Sequence, residues 1–551
     1  MTNLIRRFPI FSFKTLASAI LIVLAFPPFD FDFLIWFSLV PWLDTVFEAP
    51  TKKAAALQGL WLSILMSVMG FYFVAYVLVE YGNLPFWVGI LGLLLYSFIG
   101  QPQFTLFAPV LRSLLHETTS KHFTSKNILV SMAITALAYS SLDWLLPKLF
   151  VDTLGHSLYQ RIWLRQIADI GGPALITFVI VFNNLIVWKL YRLIRYRNEP
   201  SVLPALSLCS KGLLTAALLL ISSSLYGRYR YNQIQAIIAS PDTQTVRLAM
   251  IQANIGDLEK IAAEKGLKQA AREVMKSYYD LSEQASNQTP KPDGIIWPET
   301  AYPSTFRTPR TTEEFARDSE VDSFVKRTQA TLLFGGYDRL NAKDHNAFFL
   351  LDPELNLQIY RKNLLLLFGE YIPGAELFPA IKNLFPQVGN FGRGVGPSVL
   401  ELKTPNKPAI GSVKFSPIIC YEALFPNYVL EGIRLGSEFI LNVTNDSWFG
   451  PTPEAKLHLS LTTFRSIETR KAQVRATNTG ISSMISPDGS ILSPTPLGAA
   501  VIVPLDVPLM PPLFTLMLAW GDWFAPTGFA ICLVYLTFTH RSQRSRQVSN
   551  H

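Results

Sequence analysis

The chain is poor in cysteine and poor in charge. Only three of its 551 residues are cysteines, Cys209, Cys420 and Cys532, too few to argue a disulfide framework. Lysine, arginine, aspartate and glutamate together make up 16% of the residues, against roughly 25% in an ordinary soluble protein. No glycine-rich phosphate loop and no clustered set of metal-ligand types occurs, so neither a cofactor nor a metal is expected. The net charge is +8, but the basic residues sit beside apolar blocks and not on an aromatic-interleaved face. That placement fits membrane topology and anionic headgroups, and argues against nucleic acid as a partner. No small-x-small cleavage site follows the first apolar run, which is succeeded at once by further apolar runs, so residues 1–29 do not read as a cleaved signal peptide.

Half of the chain is apolar, and the apolar residues are gathered in blocks. Runs suited to a membrane appear near 15–29, 33–48, 57–79, 85–110, 127–147, 163–189, 209–226 and 513–538; a bilayer core takes about 20 residues of helix. The expected architecture is an α-helical transmembrane bundle of about eight spans, with a globular domain inserted before the last one. In residue numbers this is a bundle over 1–230, a domain over 245–505, a last span over 513–538 and a basic tail over 539–551. Arg6, Arg7, Lys14, Lys52, Lys53, Arg112, Lys121, Lys126, the cluster Lys189, Arg192, Arg195 and Arg197, and the terminal Arg541, Arg544 and Arg546 then share one side. The positive-inside rule makes that side cytoplasmic. Both termini are expected there, and the 245–505 domain on the opposite side. Arg228 and Arg230 are exceptions on the outer side.

Within 245–505, short runs rich in β-branched residues end abruptly in polar ones. Val246–Ile251 runs into Gln252 and Asn254, Gly294–Trp297 into Pro298-Glu299, and Thr331–Phe334 into Gly335-Gly336. Phe415–Ile419 ends at Cys420-Tyr421-Glu422, and Glu438–Val443 at Thr444-Asn445-Asp446. Helix-like segments intervene, at Glu259–Gln284 and Pro453–Lys471. This is the pattern of a layered α/β fold with functional groups at strand ends.

Cys420 is the only cysteine of that region. A free thiol has a pKa of about 8.5, so a nucleophilic thiolate needs a base or a positive neighbour. Glu299 can serve as the base, and Lys362 can hold an oxyanion. Glu370 is a second carboxylate, placed either to orient Lys362 or to tune Glu299. Residue types alone leave a buried structural Cys420 as the commoner alternative. His345 and His458 read as surface or packing residues. Asp143, Asp169 and Asn184, in the membrane runs, read as structural hydrogen-bonding groups.

Local sequence adds a resemblance. Trp297-Pro298-Glu299, then Lys362 with Phe368-Gly369-Glu370, then Cys420-Tyr421-Glu422, resemble in order and spacing the Glu–Lys–Cys motifs of the nitrilase superfamily. The membrane runs on either side make the chain similar to that superfamily's membrane-embedded branch, the apolipoprotein N-acyltransferases. Ile251–Ile255, Asn445–Gly450, Arg475–Ser482, Gln166–Pro173 with Asn183 or Asn184, and Gly521-Asp522-Trp523 match as well, so the resemblance covers nearly the whole chain. It implies a nitrilase-like α-β-β-α sandwich for the inserted domain. It also implies Glu299 as proton acceptor, Lys362 as oxyanion stabiliser and Cys420 as nucleophile, with Glu370, Tyr421 and Glu422 in support.

The activity implied is acyl transfer, through a thioester, from a phospholipid, typically phosphatidylethanolamine, to the diacylglyceryl-cysteine of an apolipoprotein. It takes place at a bacterial inner membrane and on its periplasmic side. Two positions depart from the family's usual pattern. Ile261 stands where a tryptophan commonly follows the residue corresponding to Lys260, and Leu364 where histidine and proline are common. A membrane-tethered amidase and a binding homologue without turnover are the competing readings. The first has no use for a set of spans, and the second is opposed by an intact Glu299, Lys362 and Cys420.

Overall fold

The computed structural model describes residues 11–80, 82–117, 125–195, 202–256, 262–264, 266–372, 374, 378 and 389–549. Arg6, Arg7, Lys121, Arg197, Lys260 and Ile261 lie outside them, as do the side chains of Lys126, Cys209, Arg541, Arg544 and Arg546. The chain divides into two compact units, Met1–Tyr229 with Asp522–His551, and Arg230–Gly521.

The first unit is helical: α1 Phe13–Ala25, α2 Val40–Glu48, α3 Lys52–Gly70, α4 Phe73–Glu80, α5 Phe86–Gly100, α6 Pro102–Glu117, α7 Ser125–Leu145, α8 Ala168–Arg195, much of α9 Val202–Ile238, and the last helix over 524–549. Among the described residues, three helices are long and apolar enough to cross a bilayer, Lys52–Gly70, Ile128–Leu145 and Leu164–Arg195. The bent pair Phe86–Gly100 and Pro102–Leu115, meeting at 47°, makes a fourth if counted as one span. Other apolar runs fold in pieces. The run at 33–48 becomes a 3-10 turn, Asp32–Trp36, followed by α2, whose second residue is Pro41.

The amide of Asn184 repairs the backbone at that break. It donates to the carbonyls of Ile35 and Ile180 and accepts from Leu39 N–H, each at 2.9 Å, while Asn183 donates to Trp36 O. A helix broken within lipid needs such partners. α8 is itself interrupted at Gly171-Gly172, where Gly172 takes φ +63°, a conformation that a side chain would strain. Asp169 accepts from Tyr226 Oη at 2.9 Å, and Asp143 pairs with Lys148 at 2.5 Å.

The second unit is built on two six-stranded sheets. The strands are β1 Thr245–Gln252, β2 Gly294–Ile296, β3 Thr331–Leu340, β4 Lys343–Leu351, β5 Leu357–Arg361, β6 Leu400–Lys403, β7 Ser412–Ile419, β8 Phe439–Thr444, β9 Gln473–Thr477, β10 Ser483–Ile485, β11 Ile491–Leu492 and β12 Val501–Pro508. One sheet has the order β12-β1-β2-β3-β4-β5, the other β11-β10-β9-β8-β7-β6. Each has a parallel centre, β1-β2-β3 or β7-β8-β9, flanked by antiparallel strands.

Parallel neighbours need a crossover, and helices supply it. These are α10 Lys268–Ser286 and α11 Thr312–Thr328 in the first sheet, and α12 Pro426–Arg434 and α13 Glu454–Thr469 in the second. Leu248, Met250, Ile296, Leu333 and Phe348 from one sheet meet Leu402, Phe415, Phe439, Leu441 and Val474 from the other. The opposite faces pack on helices, through Trp297 and Phe334 with Val274, Tyr278 and Phe324, and through Ile418 and Ile440 with Val429 and Ile433. The layers are therefore helix, sheet, sheet, helix.

Two boundaries differ from expectation. β12 pairs with β1 from Thr245↔Pro508 to Gln252↔Val501, so the sheet runs past residue 505. A short helix, Leu516–Trp520, also belongs to the globular unit, and the final helix starts at Phe524 and continues to Ser549. The expected span at 513–538 thus begins late, and the expected tail is helical. β3 does not stop at Gly335-Gly336 but continues to Leu340, because β4 pairs with it along that whole length.

Candidate active site

The polar strand ends converge. Glu299 follows β2, Lys362 follows β5, Cys420 follows β7 and Asn445 follows β8. Their placement depends on backbone that a sequence pattern does not reveal. A side chain on Gly335 would come within 2.6 Å of the Glu299 Cα, so the glycine of β3 lets the Glu299 turn lie against the sheet. Thr300 and Cys420 take φ +48° and +51°, left-handed conformations that cost a non-glycine residue about 1–3 kcal/mol and that gather at functional sites.

Lys362 is buried between two carboxylates. Its Nζ stands 2.9 Å from Glu370 and 3.4 Å from Glu299 Oε1. Burial works against the ammonium, but the Glu370 and Glu299 carboxylates outweigh it and hold the lysine charged well above its ordinary range. Glu299 is held on both oxygens, Oε1 by Asn346 Nδ2 at 2.7 Å and Oε2 by Asn445 N–H at 2.9 Å. Glu370 accepts from Lys362, from Asn346 Nδ2 at 2.9 Å and from Leu366 N–H at 2.8 Å. Glu370 is thus the group that orients Lys362, and through Asn346 it is tied to Glu299 as well.

Cys420 is half-buried and packs against the inter-sheet core. Burial pushes its thiol well up, the Glu299 carboxylate adds to this, and the Lys362 ammonium opposes it. The resting thiol is therefore protonated, with a carboxylate and an ammonium acting on it. Such a set can remove a thiol proton and stabilise a developing oxyanion.

Glu422 has a different place. It is fully buried and accepts from Tyr360 Oη at 2.6 Å, Asn363 N–H at 2.7 Å, Ile419 N–H at 2.8 Å and Leu364 N–H at 3.1 Å. It fastens the segment after Lys362 to the turn carrying Cys420. Leu364 takes part through its backbone, so the contact does not read its side chain. The ring of Tyr421 is buried edge-on against Phe425 at 4.9 Å. Of the apolar loop residues, Leu365 and Leu424 are core groups, while Phe368 and Trp448 are exposed.

Sequence reasoning missed Asn346, which lies inside β4, the last of four polar residues before the apolar run Ala347–Leu351. Its amide bridges the two carboxylates, and hydrogen bonds to charged groups are worth about 1.5–3 kcal/mol. Asn346→Ala is expected to lose about that much stability. Asn346→Asp should lose more, since it sets a third carboxylate beside Glu299 and Glu370; thermal unfolding of both variants checks the order. Of the two readings of His458, surface or packing, the structure gives the buried one, with Nδ1 3.2 Å from both Asp446 Oδ1 and Arg475 Nη2. His345 is buried too, packed against Gly392.

The segments matched at Ile251–Ile255 and Arg475–Ser482 interlock. Gln252 Oε1 accepts from Thr477, Ser482 and Thr495, and the Asn478 amide bonds both N–H and C=O of Ile255. They join the ends of β1 and β9, which belong to different sheets.

Both parts of the chain are similar to known proteins. Residues 18–186 match the model of the apolipoprotein N-acyltransferase N-terminal domain, and residues 247–510 that of carbon-nitrogen hydrolases. An apolipoprotein N-acyltransferase of Bdellovibrio bacteriovorus is 33% identical over 524 residues, covering 92% of this chain and 90% of that one. One of Geobacter metallireducens is 28% identical over 491 residues, covering 87% and 86%. Among solved structures, an amidase from Nesterenkonia is 16% identical with a TM-score of 0.35, covering 49% of this chain and 94% of that one. With both of its parts matched, and a relative at this identity aligned over nearly its full length, the chain belongs to the apolipoprotein N-acyltransferase family.

Proposed function

We propose that this chain acylates the α-amine of the diacylglyceryl-cysteine that begins a bacterial apolipoprotein, drawing the acyl group from a phospholipid, typically phosphatidylethanolamine, through a thioester on Cys420. The observation that carries the mechanism is the buried Lys362 between Glu299 and Glu370, acting on a protonated thiol. Glu299 takes the Cys420 proton as sulfur attacks the ester carbonyl. The oxyanion is met by the Lys362 ammonium and a backbone N–H near Tyr421. Collapse breaks the ester C–O bond, and Glu299 returns the proton to the departing lysophospholipid. The lipoprotein amine then attacks the thioester, Glu299 takes its proton, and the thiol is restored as the amide forms. Glu370 and Glu422 position this set, Glu370 by holding Lys362 and Glu422 by holding the Cys420 turn. A two-step transfer lets two bulky lipids use one site in turn. Intact mass spectrometry of the purified protein after incubation with phospholipid, then with a diacylated lipopeptide, tests both steps: an acyl mass gain and its loss.

Both substrates keep their chains in a bilayer, which is the reason for the helical unit. About eight spans, both termini cytoplasmic and a periplasmic catalytic domain remain the reading that fits best. Each apolar run falls on a helix or a broken pair of helices. Lys14 and Arg192 both pair with Asp44, at 2.6 and 2.8 Å, and Arg112 donates to the carbonyls of Ala49 and Pro50. These basic residues, assigned to one side by sequence, thus keep company. The segments after the first and fifth apolar runs, which an eight-span count puts on the other side, do so as well, Arg161 pairing with Asp32 and Tyr159 with Asp30. A cysteine introduced near Ser286 is expected to react with an impermeant maleimide in intact spheroplasts, and one near His551 only after lysis. The reverse pattern would invert the topology.

A further inference from the structure

Beneath Cys420 lies a buried polar cluster that the acyl-transfer steps do not use. Asp446, Glu454 and His458 bring their ligating atoms within 4.8 Å of one another, and these are residue types that bind metals. A cation does not suit them, because Arg475 already holds the position. Its Nη2 donates to Asp446 Oδ2 at 2.9 Å and lies 3.2 Å from His458 Nδ1, while Nη1 donates to Asn442 Oδ1 at 2.8 Å. A divalent ion would stand against a guanidinium. Burial, reinforced by the Asp446 carboxylate and opposed by Arg475, pushes the Glu454 carboxyl well up. The cation of the cluster is Arg475, held by Asp446.

His458 is the member that faces the nucleophile. Burial, and then the Arg475 cation, hold its ring neutral. Nδ1 lies 3.2 Å from both Arg475 Nη2, which can only donate, and Asp446 Oδ1, whose carboxylate Arg475 already engages through Oδ2; in the tautomer that accepts from Arg475 the single ring proton is on Nε2. That nitrogen is buried and has no hydrogen-bond partner of good geometry, and the ring reaches the backbone of Cys420. The helix bearing it, α13, packs against the turn Cys420–Leu424. The carbonyl of Cys420 shares a peptide with the N–H of Tyr421, in a backbone already held left-handed.

We propose that His458 is a positioning residue for thioester formation: its Nε2–H steadies the Cys420 carbonyl and so aims the N–H of the Cys420–Tyr421 peptide at the oxyanion. The assignment rests on Cys420 being the nucleophile. Hydrogen bonds of this kind are often long in the resting site and tighten as the reacting complex forms. A peptide whose carbonyl is hydrogen-bonded is also the stronger donor at its N–H.

Two reactions of the same thiol separate positioning from mere support. Acylation by phospholipid passes through an oxyanion, whereas alkylation by iodoacetamide displaces iodide at carbon and forms none. In the full-length protein in detergent, His458→Leu is expected to slow Cys420 acylation by about tenfold to a hundredfold, less than the roughly 10²–10³ of deleting an oxyanion donor outright. Alkylation should stay within about twofold of wild type on the same reasoning. His458→Gln, which can place an N–H near the Nε2 position, should recover most of the acylation rate; His458→Asn, whose N–H lies near Nδ1, should not. If His458→Leu fails to accumulate, the contrast between Gln and Asn decides the matter. Equal slowing of both reactions, unchanged acylation, or Gln no better than Asn would overturn the role of His458. A wild-type protein that alkylates but never acylates on Cys420 would instead remove the parent reading, and this one with it.

Discussion

Cys420→Ala is expected to gain no acyl mass after incubation with phospholipid, and Cys420→Ser to gain it at the edge of detection. The reason lies in the environment of the thiol. Burial raises it first, and the Glu299 carboxylate raises it further, against the pull of Lys362. A site that leaves even a thiol protonated relies on its base at the moment of attack, and a serine hydroxyl is harder still to deprotonate. The same environment predicts a pH profile. With the thiol pKa well above its ordinary value, the reactive thiolate is a small fraction at neutral pH. Its alkylation by iodoacetamide should climb about tenfold per pH unit through pH 9. A plateau near neutrality would mean a preformed thiolate, and an acyl adduct on Cys420→Ala would remove the nucleophile assignment altogether.

How much of this could be read from sequence follows from the fold. In the parallel centre of each sheet, strands are short apolar runs buried on both faces, and the residue after each run lies at one edge. Glu299, Cys420 and Asn445 were legible for that reason. Asn346 was not, because it lies inside β4 and reaches the edge only through antiparallel pairing with β3 and β5. Long-range partners decide that, and no local pattern contains them. The same holds for the partners of His458: Asp446, just after β8, and Arg475, in β9, are brought to its helix by the fold and not by any local pattern. β12 returns from the far end of the domain to pair with β1, which is why residue 505 was too early a boundary. In the helical unit, composition located the apolar runs but not their breaks, since Asn184 mends one and glycine permits another.

Glu299→Gln and Lys362→Ala should both stop turnover, but for reasons that stability separates. Glutamine keeps the shape of Glu299 but only one of its two acceptors, so either the Asn346 or the Asn445 N–H bond is lost, at a cost of about 1–3 kcal/mol, while the thiol loses its base, a loss of about 10²–10⁴ in acylation rate. Lys362→Ala also removes a cation that is 1% exposed and sits between two carboxylates. Breaking a buried pair from one side costs about 3–5 kcal/mol, and losing an oxyanion donor costs about 10²–10³ in rate. Lys362→Ala is therefore expected to melt well below wild type and to be inactive. Adding Glu370→Gln removes one of the two stranded charges, so the double variant should regain much of the lost melting temperature and none of the acylation. Thermal unfolding and the acyl mass gain, measured on the four proteins together, distinguish the outcomes. If activity returned along with stability, Lys362 would be a structural counter-ion, and the oxyanion would be held by the backbone alone.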